Sequence, residues 1–505
     1  MSSPLGITPD ESLRKGLQSR HISMLALGGA IGTGLFVASG ATIHDAGPGG
    51  AVTAYLLMGV MVFFLMQSLG EMSAYIPCSN PFEEYGKRFV SKSFGFAAGW
   101  NYWLNWSVTL AAELVAAGLI MKFWLPDVPS WIWSVIFLAA LLGLNLFAVK
   151  AFGEAEFWFA TIKVIAVVVF LGVGVLLVLG VVGDGPAPGF SNWTIDDAPF
   201  VDWPLGMLSV FLIAGFAFQG TEMIAVAAGE AVEPKSAIPR AVRTVFVRIL
   251  LFYVGTLTII SFLIPYTDPN LLNASEENIA IAPFTLVFKD AGISVAASMM
   301  NAVILIAILS AGNASLFAAT RALYGLAVEG SAPRVFMWVT RRSGVPVMAV
   351  AATTAIGALC FLASRVGDGR AYVWLVTASS VAGFITWIGI AWAHYRFRRA
   401  WNLQGRSLDE LPYKAWLYPA GPIVALLMCF AVIAGQNFTA IRDGTAGNWE
   451  LWLTAYGALA VFLGFWWGHK LLTRIPSVDL RTADLSSTAS ASAHRNPDPD
   501  PDPVH

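Results

Sequence analysis

Apolar runs of membrane-crossing length follow one another from residue 22 to residue 470, and the charged residues collect in the short segments between them. A crossing helix needs about 20 apolar residues. Stretches that meet this lie near 22–43, 49–75, 95–121, 129–149, 156–182, 204–228, 243–265, 291–327, 345–363, 371–394, 417–436 and 449–470. The pattern therefore predicts an all-α membrane protein with twelve transmembrane helices. Two of these helices are interrupted by glycine where an unbroken span is otherwise expected: GGAIGTG at 28–34 in the first, and GFAFQGTE at 215–222 in the sixth. Glycine costs a helix interior about 1 kcal/mol relative to alanine. In hydrocarbon, the backbone groups it frees must find partners within the protein or in a wet cavity.

Charge placement supports the count. Of 30 lysines and arginines, Lys122, Lys289, Arg365, Arg370 and Arg442 fall on one side, Lys163 falls inside a span, and all others fall on the opposite side. That asymmetry places both termini in the cytoplasm. The composition, 57% hydrophobic and 12% charged with a mean hydropathy of +0.67, excludes an ordinary soluble domain. A net charge of only -2 points to no nucleic-acid partner. Cys78, Cys360 and Cys429 are scattered and far from any histidine cluster, which argues against a disulfide framework or a metal site. The polar first twenty residues predict no cleavable signal, so the first span serves as the insertion signal.

Two broken helices at corresponding places in two halves point to a substrate site near mid-bilayer. Spans one to five (22–203) and six to ten (204–395) would form an inverted repeat. The segment 1–21 precedes it, 396–472 adds two helices outside it, and 473–505, rich in Ser, Thr, Asp and Pro, is expected to be a disordered cytoplasmic tail. The glycines of the first break also suit close helix packing, since Gly28 and Gly32 are four residues apart. The unwinding reading has the amides near Thr33 and Gly34 open a new half-helix that receives an anionic group. In the second break, Gln219, Thr221 and Glu222 stand within an apolar run, where a carboxylate is costly. Carbonyls of Phe216, Ala217 and Gln219 would suit an ammonium. One break offering donors and another offering acceptors matches the two ends of a zwitterionic amino acid.

Lys163 lies about 10 Å into span five, taking ~7 residues at a rise of 1.5 Å each. It is either a lysine that snorkels to the interface or a proton carrier whose ammonium also holds the carbonyls of the unwound first helix. Glu113 and Glu222 are candidate partners for it, or part of the pocket. Glu71 and Glu230 lie near inner span ends and read as solvated or gating groups. In WNYWLNW at 100–106, Trp100 and Trp103 fit an interfacial belt, whereas Tyr102, Asn105 and Trp106 extend inward and could line the pocket. Asn313 either reaches the pocket or makes a packing hydrogen bond. Spans one, three, six, eight and ten carry no mid-depth arginine, which disfavours dicarboxylate substrates. No nucleophile, base and orienting group recur together, and no phosphate-cradling loop is present, so an enzyme is not supported.

GGAIGTGLFVASG, FGEAEFWFATIKV at 152–164, FQGTEMIAVAAGE at 218–230, EPKSAIPRAV and SAGN together resemble the amino acid, polyamine and organocation (APC) superfamily of permeases. Within it, AGPGGA, GWNYWLNW, IPYTDPNLL and HYRFRRA are similar to the bacterial lysine permeases. The resemblance implies a LeuT-type five-plus-five inverted repeat and proton-coupled import of a cationic amino acid, lysine above all, across the bacterial inner membrane. It implies backbone recognition of the substrate by Ala30, Thr33 and Gly34 and by Phe216, Ala217 and Gln219. It further places Lys163 where proton-coupled relatives hold a lysine in the position of a sodium ion, with Glu222, Glu113 and Glu230 as further coupling groups. No cofactor or metal is expected. The implied partners are the amino acid, a proton and membrane lipid, with any regulatory membrane partner unidentified. The alternatives are an amino-acid receptor, or a permease for arginine, ornithine or a neutral amino acid.

Overall fold

A computed structural model of the 505-residue chain describes residues 18–24, 31–78, 80–146, 149–183, 187–231, 233–272, 282–340, 344–442, 444 and 447–487. Helices α1 (Ser19–Met24) and α2 (Thr33–Phe36) flank the first glycine run, and α3 (Ser39–Tyr75) follows. Gly47, at φ 73° and ψ 171°, divides α3 into two helices, and the proline after it removes a backbone donor at the same point. A short helix, α4 (Pro81–Phe89), then leads to α5 (Lys92–Met121), whose first turn is capped by the Ser91 side chain accepting from the Phe94 N–H at 3.1 Å. Next come α6 (Ser130–Leu146) and α7 (Val149–Val178).

The second broken element is built from α8 (Leu205–Ser209), α9 (Phe211–Phe218) and α10 (Met223–Ala227). It is followed by α11 (Pro234–Arg248), a π-helical stretch Ile249–Gly255, α12 (Thr256–Leu263), α13 (Pro269–Leu272) and α14 (Pro283–Asp290). The chain continues through α15 (Ser294–Val328), α16 (Val347–Gly357), α17 (Ala363–Val366), α18 (Asp368–Leu403), α19 (Ala420–Ala434), α20 (Phe438–Arg442) and α21 (Trp449–Thr473). The sole β pairing among the described residues is an isolated bridge between Val339 and Pro346. Eight helical stretches among them are long and apolar enough to cross a membrane, and Ser130–Leu146, Leu251–Leu263 and Ala420–Ala434 are shorter apolar helices.

Burial sorts these helices into centre and rim. The apolar window of Leu205–Ala227 is 94% buried and that of Lys92–Met121 is 83% buried, whereas that of Trp449–Thr473 is 11% buried. Helix α5 packs along both α15 and α18 and forms the axis of the molecule. Its small residues, Ala97, Ala111, Ala112, Ala116 and Ala117 among them, let the neighbours approach closely. Helix α21 instead displays Leu453, Trp467 and Leu471 outward, which suits a surface in contact with lipid.

One expectation is corrected beyond the last helix. Residues 474–487 do not hang free: they lie against the lysine- and arginine-rich face. The Val478 N–H donates to the Val90 carbonyl at 3.1 Å, Gln404 Nε2 donates to the Ala483 carbonyl at 2.8 Å, and Arg406 Nη1 donates to the Leu485 carbonyl at 2.8 Å. Leu485 is buried. Composition alone misses this because the segment is held largely through its backbone carbonyls, by Arg88 of α4, Arg396 of α18 and Gln404 and Arg406 just beyond α18, and any sequence presents such carbonyls.

Candidate functional site

At the first break Ile31 and Gly32 are non-helical, the latter at φ -138° and ψ -144°, before the single turn of α2. A carbonyl outside a helix needs another partner. The Ile31 carbonyl accepts a hydrogen bond from Lys163 Nζ at 3.1 Å, so the lysine of α7 reaches across to the break and does not snorkel outward. Lys163 is fully buried, and its ammonium stands 3.8 Å from Glu156 Oε1. Glu156 in turn accepts from Ser310 Oγ of α15 at 2.8 Å.

The second break is sharper. Helix α9 stops at Phe218, Gln219 turns extended at φ -58° and ψ 152°, and Gly220 takes φ +90°, a conformation that favours glycine. The freed Gly220 N–H donates to both Glu222 carboxylate oxygens, at 3.2 and 3.1 Å, and Trp387 Nε1 of α18 donates to the same carboxylate at 3.3 Å. Gln219 Nε2 donates to the Ser379 carbonyl of α18 at 3.1 Å. That approach needs Gly383, where a Cβ would stand 2.1 Å from Gln219 Nε2.

The two breaks touch. A Cβ on Gly34 would lie 2.5 Å from the Ala217 Cα. Beside this contact is a cavity of about 20 Å³ whose walls include Gly32, Gly34, Trp106, Glu113, Phe216 and Gln219. It holds about one water molecule, so an amino acid enters only if the surrounding helices move apart. Glu113 is fixed at this wall by Thr33 Oγ1, which donates to its Oε1 at 3.1 Å, while its buried Oε2 has no hydrogen-bond partner among the described residues. A second cavity, of about 410 Å³, is walled by Val37 and Ala38 after the first break, Leu212 before the second, and Tyr372 and Trp374.

Thr33, Gly34, Trp106, Glu113, Phe216, Ala217 and Gln219 are thus gathered around one point. Glu222 sits under the second break. Three expected pocket residues are elsewhere. The Tyr102 ring packs on Phe82 of α4 with centroids 4.2 Å apart; Asn105 Oδ1 accepts from Ser379 Oγ at 2.8 Å; and Asn313 Oδ1 accepts from Asn145 Nδ2 at 2.7 Å, the packing bond that sequence left open. None of the three lines the small cavity. Ala30 and the Glu230 side chain lie outside the described residues. Glu71 is not solvated: it is fully buried, and it accepts from Arg398 Nη2 at 2.9 Å with His394 Nε2 3.2 Å away. Sequence reasoning missed Glu156, although its spacing of seven residues from Lys163 places both on one helix face.

On the lysine-rich face, α4 carries a further buried acid. Glu83 accepts from Asn80 Nδ2 at 2.7 Å and Ser331 Oγ at 2.5 Å, with Lys87 Nζ at 3.6 Å. Burial pushes its carboxyl up to about 7 from an ordinary 4.5, against the pull of Lys87 and Ser331. The folded chain therefore holds this proton more tightly than the unfolded chain. Stability from it is complete below pH 4.5 and lost as pH rises through 7, by about 3 kcal/mol. Glu83→Gln is expected to melt like the parent protein at pH 5 and a few degrees higher at pH 8, as read by thermal unfolding in detergent. Equal melting at both pH values would count against this assignment.

Broken, buried helices whose interruptions meet beside a small central cavity, among several apolar helices of membrane-crossing length, define a polytopic membrane protein. The family model described as "Amino acid permease" matches residues 21–480, and the chain belongs to that family of transporters. It is 52% identical to the lysine-specific permease LysP of Escherichia coli over 94% of this chain and 96% of that protein. Identity is 46% to the lysine-specific permease LysP of Lactococcus lactis, over 95% and 94%, and 46% to the histidine permease HisP of the same organism, over 94% and 98%.

Proposed function

We propose that this permease is a proton-coupled symporter that imports a cationic amino acid, lysine first, across the bacterial inner membrane by alternating access. In this reading the polypeptide has twelve spans arranged as two inverted repeats of five plus a final pair, with both termini in the cytoplasm. The observation that carries it is the Lys163 ammonium, held between the Ile31 carbonyl of the first break and the Glu156 carboxylate. A fixed positive charge at that point does what a bound sodium ion would do for the unwound carbonyls, and a proton is what adds or removes that charge. Loss or gain of the proton then changes how tightly the first break is tied to α7.

Preference for a cation has its own support. Glu113 stands at the cavity wall with an oxygen that has no hydrogen-bond partner among the described residues, and it would take the substrate's side-chain ammonium. The names of the two lysine permeases agree with this choice, and that of the histidine permease makes histidine the competitor to exclude.

Purified protein in liposomes tests the reading. The expected result is lysine counterflow, with histidine, arginine, ornithine and neutral amino acids weaker competitors, and net uptake driven by an inside-alkaline gradient without sodium. Lysine binding without counterflow would indicate a receptor. Uptake that required sodium and ignored pH would remove the proton from the mechanism.

A further inference from the structure

Arg248 is one of the largest fully buried side chains among the described residues. It stands at the end of α11, where the helix widens into the π-helical Ile249–Gly255. In an α-helix, residues five apart point about 140° away from each other around the axis. A π turn, whose hydrogen bonds run between residues five apart, brings them nearly into line. Arg248 and Tyr253 are five apart, and the widened turn joins them: Arg248 Nη2 donates to Tyr253 Oη at 2.5 Å, and the guanidinium carbon lies 5.3 Å from the Tyr253 ring centroid.

Tyr253 passes the contact onward. Its ring stacks on Phe218 with centroids 4.3 Å apart and planes 21° apart, and Tyr55 of α3 closes the group at 5.9 Å from Phe218. Phe218 is the last helical residue before the second break. Close packing of α3 on the π turn is seen at Gly59, where a Cβ would stand 2.4 Å from Ile249 Cγ2. On the far side of the break, the Glu222 carboxylate accepts from the Gly220 N–H. The arginine therefore reaches the break through the Tyr253–Phe218 ring stack.

We infer that Arg248 is a positioning residue for the substrate site, fixing the Phe218–Glu222 break through Tyr253. The inference rests on the proposed function only for its choice of lysine as the transported probe. A buried donor or acceptor that loses its partner is destabilising, whereas replacing both members of a pair is often nearly neutral. That difference separates a linked pair from two independent residues.

The experiment compares the parent protein, Arg248→Met, Tyr253→Phe and the double variant in liposomes and in detergent. Each single variant is expected to lower the melting temperature. In Arg248→Met the lysine KM for counterflow is expected to rise about tenfold in the protein that folds, because the break shifts, with a smaller change in kcat. The double variant is expected to melt close to the parent, well above the sum of the single losses. Arg248→Lys, which keeps the charge but not the planar guanidinium, is expected to fall between Arg248→Met and the parent in KM.

Additive melting losses in the double variant would overturn the Arg248–Tyr253 link. A parental KM in folded Arg248→Met would overturn the positioning role. Absence of lysine counterflow in the parent protein would sink the proposed substrate, and the melting comparison would still decide whether Arg248 and Tyr253 act as a pair.

Discussion

Gly34→Ala is expected to cut amino-acid uptake sharply, by up to about a hundredfold, in a protein that still inserts and folds. The added methyl group would stand 2.5 Å from the Ala217 Cα and 2.8 Å from the Ala217 nitrogen. These are backbone atoms of α9, so no side-chain rotation relieves the clash, and the two outer half-helices must separate. Overpacking of this kind costs typically 1–3 kcal/mol, which at its upper end equals a hundredfold change in a binding constant. The cost falls on the geometry that brings the donors of the first break to the acceptors of the second. Ala217→Gly added to Gly34→Ala is not expected to restore uptake, because it removes only the Cβ, 3.1 Å away, and leaves the closer backbone in place. Gly143→Ala on α6, where nothing lies within 4 Å, serves as the control and is expected to transport normally. Rescue by Ala217→Gly, or normal uptake in Gly34→Ala, would mean that the breaks do not depend on this contact.

The second break was legible in the sequence because hydrocarbon allows few explanations for Gln219, Thr221 and Glu222 inside an apolar run. Which groups the breaks would bond to was not. Lys163 could be read as a snorkelling side chain until its ammonium was seen on the Ile31 carbonyl. Glu156 was hidden by its position near the start of a predicted span, where acids are usually wet, although it stands two turns from Lys163 on the same face. Tyr102 and Asn105 were expected at the pocket for a related reason. Periodicity shows that a residue is on a buried face, but α5 is buried on nearly every side, so the neighbour it meets is set by tertiary packing. Arg248 defeated the reading differently. It was counted with the cytoplasmic cations because it lies only five residues into span seven, and a π turn, which alters the register of every later side chain, leaves no mark in hydrophobic periodicity. The tail shows the converse error, since segments of low hydrophobicity can still be held through their backbone.

Lys163→Ala is expected to remove gradient-driven lysine uptake, with a loss of about a hundredfold or more. Two effects separate in this variant. The first is structural: Glu156 is buried, with Ser310 its remaining close donor, and breaking a buried ion pair by deleting one member costs about 3–5 kcal/mol. The second is functional: the Ile31 carbonyl loses the cation that ties the first break to α7, and no titratable cation remains there to receive a proton. Lys163→Ala combined with Glu156→Gln distinguishes them. The double variant removes the unpaired charge, so its melting temperature is expected to recover most of the loss seen in Lys163→Ala. Its gradient-driven uptake is expected to stay at the Lys163→Ala level, because glutamine restores no charge at the carbonyl. A double variant that regained both stability and pH-driven uptake would show that Lys163 serves only to neutralise Glu156, and the proton would then have to be carried elsewhere, with Glu113 at the cavity wall the next group to replace. Recovery of stability without recovery of uptake assigns the coupling to the ammonium itself: an α-helical side chain leans toward the helix N-terminus, and from Lys163 that direction leads to Glu156 and the opened first helix.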